Sequence, residues 1–440
     1  MSEYADIGIK NMSLAWFRNY LEKDVVELFF SRDDLSIEEN YVDDPEDEDS
    51  QPYTRYIYQT SVKKAKERLD AMGYGTEHFE ELFNQRVLEV IDYDPFLHHL
   101  RVDIEDFDEK AQDRIKKYIT FKKWINSLDR IVKYELEHGE IAEYSKDNSF
   151  HPTTECDKLI YYALKDAEAE SFYSLNTEII NRAYIYRQIL ESCSDEDSII
   201  LDFSNLDYWA EDCIPKAIEA TGNAEKIIVL VEGSSDKDIL EFALSKIYPH
   251  LADLFYFMNF TDGHGNNRPG GTSEIRKQME VFYYSKLRAK FIDVFDNDAV
   301  GYQSKHLLLN EKIKIWPENF RILCYPQIPF FRKYPTIAPN GKLLIDDINR
   351  KACSIELYLP DKLIMSEGIL FPIEWESRQT IKKTDGVTEF LYQGVISNKD
   401  TIKERFHDMK NKINNGKEVF IPQEWERMKL LLDDIVFAFK

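Results

Sequence analysis

The strongest constraint on the fold is a short apolar run rich in β-branched residues, Ile227-Ile-Val-Leu-Val231. Such a run is typical of a strand that is buried on both faces of a sheet. Further strands are predicted at 254–260, 290–295 and 321–325, and the helices predicted between them cover 235–247, 273–286 and 300–312. Strands and helices in this alternation predict a parallel sheet that helices cover on both faces.

Acidic residues follow two of these strands at the point where each strand ends. Glu232 comes directly after the first strand, with Asp236 one helical turn later, and Asp296 and Asp298 follow the strand at 290–295. The functional crevice of an open α/β sheet lies beyond the carboxyl ends of its strands. Either acidic strand end alone is equally well explained as an ordinary polar residue, but the two in order favour a functional site.

The chemistry of such a site follows from its ligand type. Several carboxylates that converge without nearby bases cannot all stay ionised unless a cation neutralises them. Ligation by oxygen alone suits Mg²⁺ or Mn²⁺ better than zinc. Because such ions bind phosphate oxygens and activate water, the pattern predicts phosphodiester chemistry.

Two segments resemble the signature motifs of the Toprim domain, Val231-Glu-Gly-Ser-Ser-Asp236 and Asp296-Asn-Asp-Ala-Val-Gly301. The resemblance covers roughly residues 224–330. It implies that Glu232, Asp296 and Asp298 are the catalytic residues, with Glu232 as general acid/base or metal ligand and the two aspartates as ligands of Mg²⁺ (or Mn²⁺). Asp236 resembles an additional aspartate of the overcoming-lysogenization-defect (OLD) nucleases, which implies a second metal.

Other segments resemble the bacterial proteins described as HEPN/Toprim-associated. They are Tyr4-Ala-Asp-Ile-Gly8, Leu201-Asp-Phe-Ser-Asn-Leu206, Ala352-Cys-Ser-Ile-Glu-Leu-Tyr-Leu359 and Tyr392-Gln-Gly394. This resemblance implies anti-phage defence. OLD nucleases carry a fused ATPase whose motif is missing from this sequence, so a separately encoded ATPase or defence partner is expected. HEPN ribonucleases carry an arginine and a histidine separated by four to six residues, and no arginine of this sequence has a histidine at that spacing, so the chain departs from that pattern.

Further candidates for the site lie outside the two motifs. Glu356 is a candidate metal ligand, with a surface or strand-end acid as the equal alternative. Asp293 shares one face of its strand with Phe291 and Phe295 and is expected to be structural or to support the ligands. His264 and Arg268, in a Gly- and Asn-rich loop, are candidates for binding substrate phosphate, although a plain loop is the favoured interpretation of that segment.

The formal charge of −25 argues against a uniform nucleic-acid-binding surface. The charge is uneven, however, because residues 33–49 hold ten acids and no base. That segment is predicted to be a mobile, solvated loop. Lysines and arginines cluster at 63–68 and 116–133, where solvated helix faces are the favoured explanation and a basic track is the alternative.

The predicted organisation has three parts. Residues 1–195 form a mostly α-helical N-terminal region, 196–345 a Rossmann-like α/β Toprim domain, and 346–440 a small α+β extension. Within the first part, helical periodicity at 14–21 predicts a helix.

Five scattered cysteines without a CxxC pair predict buried free thiols. The chain shows no long apolar segment and no secretory leader, so a cytoplasmic protein without membrane association is expected.

The function that these features favour is a Mg²⁺-dependent endonuclease acting on DNA or structured RNA. A topoisomerase would need gate-forming domains, and a primase would need a zinc module. Lysines in the 380s to 410s are expected to aid phosphate binding, and a homo-oligomer is possible. The alternative is a non-catalytic Toprim scaffold, a sensor or toxin-like protein whose acidic loop mimics DNA or binds a partner.

Overall fold

The protein divides into two compact units. The computed structural model describes residues 4–18, 20–43, 51–91, 109–139, 150–165, 175, 178–206, 214–215, 218, 225–259, 271–310, 315–382 and 388–440. The N-terminal unit comprises Met1–Ala224 with Phe439–Lys440, and the C-terminal unit comprises Glu225–Ala438. Among the described residues, no helix combines the length and apolar character needed to cross a membrane.

The N-terminal unit is built on a five-stranded antiparallel sheet in the order β2-β1-β5-β4-β3. The strands are β1 (Tyr4–Ile9), β2 (Met12–Arg18), β3 (Leu35–Tyr41), β4 (Tyr53–Ser61) and β5 (Ser198–Asp202). The prediction of a mostly helical N-terminal region was therefore wrong. The segment predicted as a helix at 14–21 lies largely in β2, where Phe17 is buried between Trp16, which is 65% exposed, and the exposed Arg18. That side-to-side alternation is a strand pattern, and seven residues are too few to separate it from a helical period.

The acidic segment 33–49 also differs from its prediction as a loop. Leu35–Tyr41 is the edge strand β3, paired with β4 in an antiparallel hairpin. Five of its seven side chains are exposed, among them the acids Glu38 and Glu39, and exposed charges protect an edge strand from pairing with other chains. Residues 44–49 lie outside the described residues.

Helices complete the N-terminal unit. They are α1 (Lys23–Phe29), α2 (Val62–Ala71), α3 (Thr76–Val90), α4 (Glu109–Tyr118), α5 (Phe121–His138), α6 (Glu155–Lys165) and α7 (Arg182–Glu191). The helix predicted at 108–137 is two helices, because Thr120 begins a new one: its hydroxyl accepts a hydrogen bond from the Lys123 N–H at 3.4 Å. Phe79 packs edge-on against Phe83 and Trp124, and all three rings are fully buried in the core.

The C-terminal unit contains the predicted parallel sheet, in the order β10-β8-β6-β7. Its strands are β6 (Ile227–Leu230), β7 (Phe255–Met258), β8 (Phe291–Phe295) and β10 (Phe320–Cys324). The helices that alternate with them are α8 (Ser234–Ile247), α9 (Thr272–Tyr284) and α10 (Ala299–Asn310). The strand and helix predictions for this region are confirmed. Every residue of β8 is buried, as expected of a central strand.

A second, mixed sheet in the order β12-β11-β16-β17 lies in the same unit. Its strands are β11 (Tyr334–Ile337), β12 (Leu343–Asp346), β16 (Ile373–Lys382) and β17 (Thr388–Ile396). Short two-residue strands are β9 (Asn297–Asp298), β13 (Ala352–Cys353), β14 (Met365–Ser366) and β15 (Ile369–Leu370), and the remaining helices are α11 (Asp361–Ile364), α12 (Lys399–Asn414) and α13 (Glu426–Val436). The observed division at 224/225 differs from the expected boundary at 195/196, because β5 pairs within the N-terminal sheet.

Candidate functional site

The candidate site lies where the direction of strand order reverses in the parallel sheet. Strand β6 pairs with β7 on one side and with β8 on the other, while β7 precedes β8 in the chain. When the chain leaves two neighbouring strands in opposite directions, as from β6 to β7 and from β8 to β10, a crevice opens between their carboxyl ends. Glu232 follows β6 and Asp296 follows β8, so both acids lie at this crevice.

Glu232 and Asp296 are in direct contact. The backbone N–H of Asp296 donates to Glu232 Oε1 at 3.3 Å. Both side chains are half-buried, and the Asp296 Oδ1 oxygen is buried without a hydrogen-bond partner. An unpaired buried oxygen costs free energy unless something fills the position. The structure thus brings the two sequence-predicted residues together and leaves one carboxylate oxygen unsatisfied.

Asp298 is held by two hydrogen bonds. Its Oδ1 accepts from the Gly301 N–H at 2.7 Å, and its Oδ2 accepts from Gln393 Nε2 at 2.7 Å. The Gln393 Oε1 oxygen in turn accepts from the first two backbone N–H groups of α10, Ala299 at 3.0 Å and Val300 at 3.2 Å. Gln393 therefore caps the helix and orients the aspartate. Sequence reasoning assigned it no role, because its partners lie 93 to 95 residues away.

Gly301 is required by a close backbone contact. A Cβ at this position would lie 2.3 Å from the Asp296 carbonyl oxygen, a rigid backbone atom. In an open helix, replacing Gly by Ala stabilises by about 1 kcal/mol. We expect the opposite sign here, with Gly301→Ala lowering the midpoint of thermal unfolding measured by circular dichroism. A midpoint at or above that of the wild type would show that the contact is relaxed in solution.

Asp236 and Glu356 extend the cluster, and Lys399 faces it. Asp236 is buried in the first turn of α8, and Glu356 is fully buried. Glu356 Oε2 accepts from Ser354 Oγ at 2.7 Å, and its Oε1 lies 3.2 Å from Lys399 Nζ and 3.9 Å from Lys403 Nζ. The interpretation of Glu356 as a surface acid was wrong, because none of its side chain reaches solvent.

Burial and mutual repulsion raise the pKa values of Glu232, Asp236, Asp296 and Asp298. Burial, with the charges of Asp298 and Asp236, raises the pKa of Glu232 to about 8. Burial, with Glu356, raises the pKa of Asp236 to about 7. Burial also raises the pKa of Asp296 well above its ordinary range, with Glu232, Asp236 and Asp298 adding to the effect. Burial raises the pKa of Asp298 as well, although its hydrogen bonds from Gly301 and Gln393 oppose this.

Lys399 is the cation that the acids share. Burial opposes its charged form, but Glu356, Asp296 and Asp236 outweigh burial and raise its pKa. The sequence prediction assumed carboxylates without nearby bases, and it included this residue only among the lysines of the 380s to 410s. The contact was not foreseeable from local sequence because α12 lies 43 residues after Glu356 in the chain.

Asp293 lies behind the cluster within β8 and is fully buried. Neither of its carboxylate oxygens has a hydrogen-bond partner. Burial, with the charge of Glu232, raises its pKa well above the ordinary value. It lies opposite Leu230 in the β6–β8 register, so it is set back from the strand ends where the other acids lie.

The donor chemistry of the cluster fits a hard divalent cation, but the side chains are not arranged around one. Among the described residues, no group of three or more His, Cys, Asp and Glu side chains is placed to hold a metal ion. The hydrogen bonds to Asp298 and Glu356 point their oxygens at other partners. The orphaned Asp296 oxygen and the raised carboxylate pKa values are what a cation would relieve. The predicted ligand roles of Glu232, Asp236, Asp296, Asp298 and Glu356 stay predictions.

His264 and Arg268, the candidates for substrate phosphate, lie outside the described residues. The helix α9 that follows their loop begins beside the site, since the Gly271 N–H donates to the Glu232 carbonyl oxygen at 3.3 Å. Their proposed role stays a prediction.

A family model described as HEPN/Toprim N-terminal domain 1 matches residues 1–221, half of the chain. The chain belongs to this family. No curated protein and no solved structure matches it. The HEPN/Toprim match covers the N-terminal unit and ends before Glu232. It confirms the expected HEPN/Toprim association, while the resemblance of the C-terminal unit to Toprim domains and to OLD nucleases stays a proposal.

Proposed function

We propose that this HEPN/Toprim protein is a nuclease that uses a divalent cation, Mg²⁺ or Mn²⁺, to hydrolyse phosphodiester bonds of DNA or RNA. The observation that carries the proposal is the convergence of Glu232, Asp236, Asp296 and Asp298 at the switch point of a parallel sheet, with raised carboxylate pKa values. Strongly perturbed acids in such a crevice are typical of functional sites. The family match supports a nuclease-related or defence-associated role in general terms.

The cation would be held by Glu232, Asp296 and Asp298, with Asp236 and Glu356 as ligands for a second ion. When bound, it would lower the pKa of a water molecule and neutralise charge on the phosphate. The protein's own side chains orient a ligand and supply a positive charge. Gln393 and Gly301 keep Asp298 oriented, and Lys399 provides a positive charge within the carboxylate cluster that suits an anionic substrate.

Glu232 would act in proton transfer. Where Glu232 is not itself a ligand of the cation, its pKa, raised to about 8 in the metal-free protein, favours the protonated carboxyl group at neutral pH. A protonated carboxyl group is able to donate that proton to the leaving oxygen of a phosphodiester. As an alternative role of the same side chain, its ionised form would serve as a metal ligand.

Cleavage is expected to require the cation and the oriented aspartate. Purified protein should cleave labelled DNA or RNA in millimolar Mg²⁺ or Mn²⁺ and should lose that activity in EDTA. Asp298→Asn should lower the cleavage rate strongly, because it removes a ligand charge. Asp408→Asn is the matched control, since Asp408 is 64% exposed on α12 and pairs with Lys412. Cleavage that persists in EDTA, or that Asp298→Asn leaves unchanged, would overturn the proposal.

The alternative of a non-catalytic interaction protein has its own test. A protein that acts through the acidic segment should lose partner binding when residues 42–50 are deleted, whereas a nuclease should keep its cleavage rate. Anti-phage protection by wild type and by Asp298→Asn separates the two in cells. Protection that needs Asp298 and survives the deletion supports the nuclease.

A further inference from the structure

A second group of residues runs beside the segment that carries Asp296 and Asp298. Lys351 forms a β-bridge with Asp298, and the next residue, Ala352, pairs with Asp298 in the β13–β9 ladder. The backbone N–H of Arg350 donates to Asn297 Oδ1 at 2.8 Å. Residues 350–352 are therefore attached to the acidic segment by backbone contacts.

Aromatic rings accompany the two cations of this group. The Arg350 guanidinium lies 4.1 Å from the centre of the Tyr302 ring, and Lys351 Nζ lies 5.9 Å from the centre of the Trp375 ring. Trp375 packs edge-on against Tyr392 with ring centres 6.4 Å apart. We call these five side chains the aromatic-cationic patch.

The patch is open to solvent and adjoins the site. Tyr392 is 59% exposed and Trp375 is half-buried. Gln393, the next residue of β17, directs its amide to Asp298, so the Tyr392 side chain leaves the strand on the opposite face, and the patch is joined to the acidic segment through residues 350–352. Single exposed aromatic residues are common on protein surfaces. Two cation–aromatic pairs on consecutive residues, joined by backbone to a candidate ligand, are a more specific arrangement.

The backbone at Arg350 is held in an unusual conformation. Its φ of 63° lies in the left-handed region, which residues other than glycine adopt rarely and at some cost in free energy. The hydrogen bond to Asn297 ties that conformation to the acidic segment. The position of Arg350 is thus fixed relative to Asp296 and Asp298.

We propose that the aromatic-cationic patch binds unpaired nucleotides of the strand that the carboxylate site cleaves, an inference that rests on the proposed function. Aromatic faces stack on any base, and neighbouring cations attract the phosphates. In a duplex the base faces are covered by their neighbours, so stacking of this kind selects single-stranded or locally unpaired nucleic acid. The substrate class is therefore an unpaired strand rather than an intact duplex.

The test uses binding, so that it is independent of cleavage. The full chain carrying Glu232→Gln is titrated, in Mg²⁺, into a fluorescein-labelled single strand and into the duplex of the same sequence, and anisotropy is measured. Trp375→Ala and Tyr392→Ala are each expected to weaken single-strand binding by about ten-fold. Tyr392→Phe should restore it, because the ring is kept.

Tyr284→Ala is the matched control. Tyr284 is 60% exposed at the end of α9. That helix begins beside Glu232, and a rise of about 1.5 Å per residue puts its last residue about 18 Å from its first. Binding by this variant should equal that of the parent protein.

Three outcomes overturn the inference: no binding to either nucleic acid, single-strand binding that both alanine variants leave unchanged, or tighter binding to the duplex. A patch that instead docks another protein would give the second of these. If the variants lose single-strand binding while the wild type cleaves nothing with Mg²⁺ or Mn²⁺, the inference about the patch stands and the proposed nuclease activity fails.

Discussion

Replacing Glu232 by Gln is expected to lower metal-dependent cleavage by at least about 100-fold, the usual contribution of a general acid or base. The substitution keeps an oxygen that accepts from the Asp296 N–H and removes only the titratable proton and charge. The fold should be unaffected or slightly stabilised, because a half-buried acid with a raised pKa is replaced by a neutral amide. Single-turnover rates and thermal unfolding of the same preparations measure both effects.

Glu241→Gln is the control for this prediction. Glu241 lies on the same stretch of chain, in α8, and its side chain is 47% exposed beside Lys237. The Glu241→Gln substitution makes the same chemical change outside the crevice, so the cleavage rate of this variant should equal that of the wild type. Equal rates for Glu232→Gln and the wild type would remove Glu232 from the mechanism.

Replacing Asp293 by Asn is expected to flatten the dependence of stability on pH. Burial, with the charge of Glu232, raises the pKa of Asp293 well above its ordinary value. The folded protein therefore keeps a proton that the unfolded chain releases above about pH 4. Stability from such a group is fully present below the unfolded pKa and is lost as pH rises toward the folded pKa. The loss is about 1.4 kcal/mol per pH unit for one group.

The difference in the free energy of unfolding between the Asp293→Asn protein and the wild type, followed over pH, reports the titration of Asp293 alone. Glu232 and Asp236 also have raised pKa values and destabilise both proteins as pH rises, so their contribution cancels. As pH rises above the ordinary carboxyl pKa of about 4, the free energy of unfolding of Asp293→Asn should rise relative to that of the wild type, until pH passes the raised folded pKa. Urea unfolding in EDTA at several pH values measures it, with Asp408→Asn as an exposed control. Parallel curves for Asp293→Asn and the wild type would contradict the assigned protonation.

The N-terminal unit should respond to acid in the opposite direction. Asp157 is buried, and although burial opposes its charged form, hydrogen bonds from Ser127, Thr153 and Thr154 lower its pKa to about 2. Stability from such a group is present above the unfolded pKa and is lost as pH falls through the folded pKa. That window lies below about pH 4, outside the range used for Asp293.

The parallel sheet was predictable because its strands are continuous apolar runs separated by helices. Glu232 and Asp296 were predictable for a related reason: topology alone directs the residue after a buried strand toward the crevice. Strand β2 was not predictable from the sequence, because a seven-residue segment with mixed apolar spacing fits the period of a helix as well as that of a strand. The partners of β5 lie about 140 and 190 residues away in the chain, and no local pattern specifies such a pairing.

The residues that support the site were also not predictable, because their contacts join parts of the chain that are far apart in sequence. Gln393 and Lys399 contact acids that lie 95 and 43 residues before them, and the Arg350 N–H donates to Asn297, 53 residues before it. Their roles depend on the packing of β17, α12 and the segment before β13, which emerges only in three dimensions. Sequence patterns thus located the charged centre of the site, whereas the side chains that orient and neutralise it required the structure.

The central claim is that a divalent cation binds among the carboxylates. Anomalous diffraction from crystals of the full chain grown with Mn²⁺ tests it most directly. We expect a manganese peak within bonding distance of carboxylate oxygens from Glu232, Asp296 and Asp298, with Asp298 turned from Gly301 or Gln393 toward the ion. Ordered carboxylates with no manganese peak between them would contradict the account.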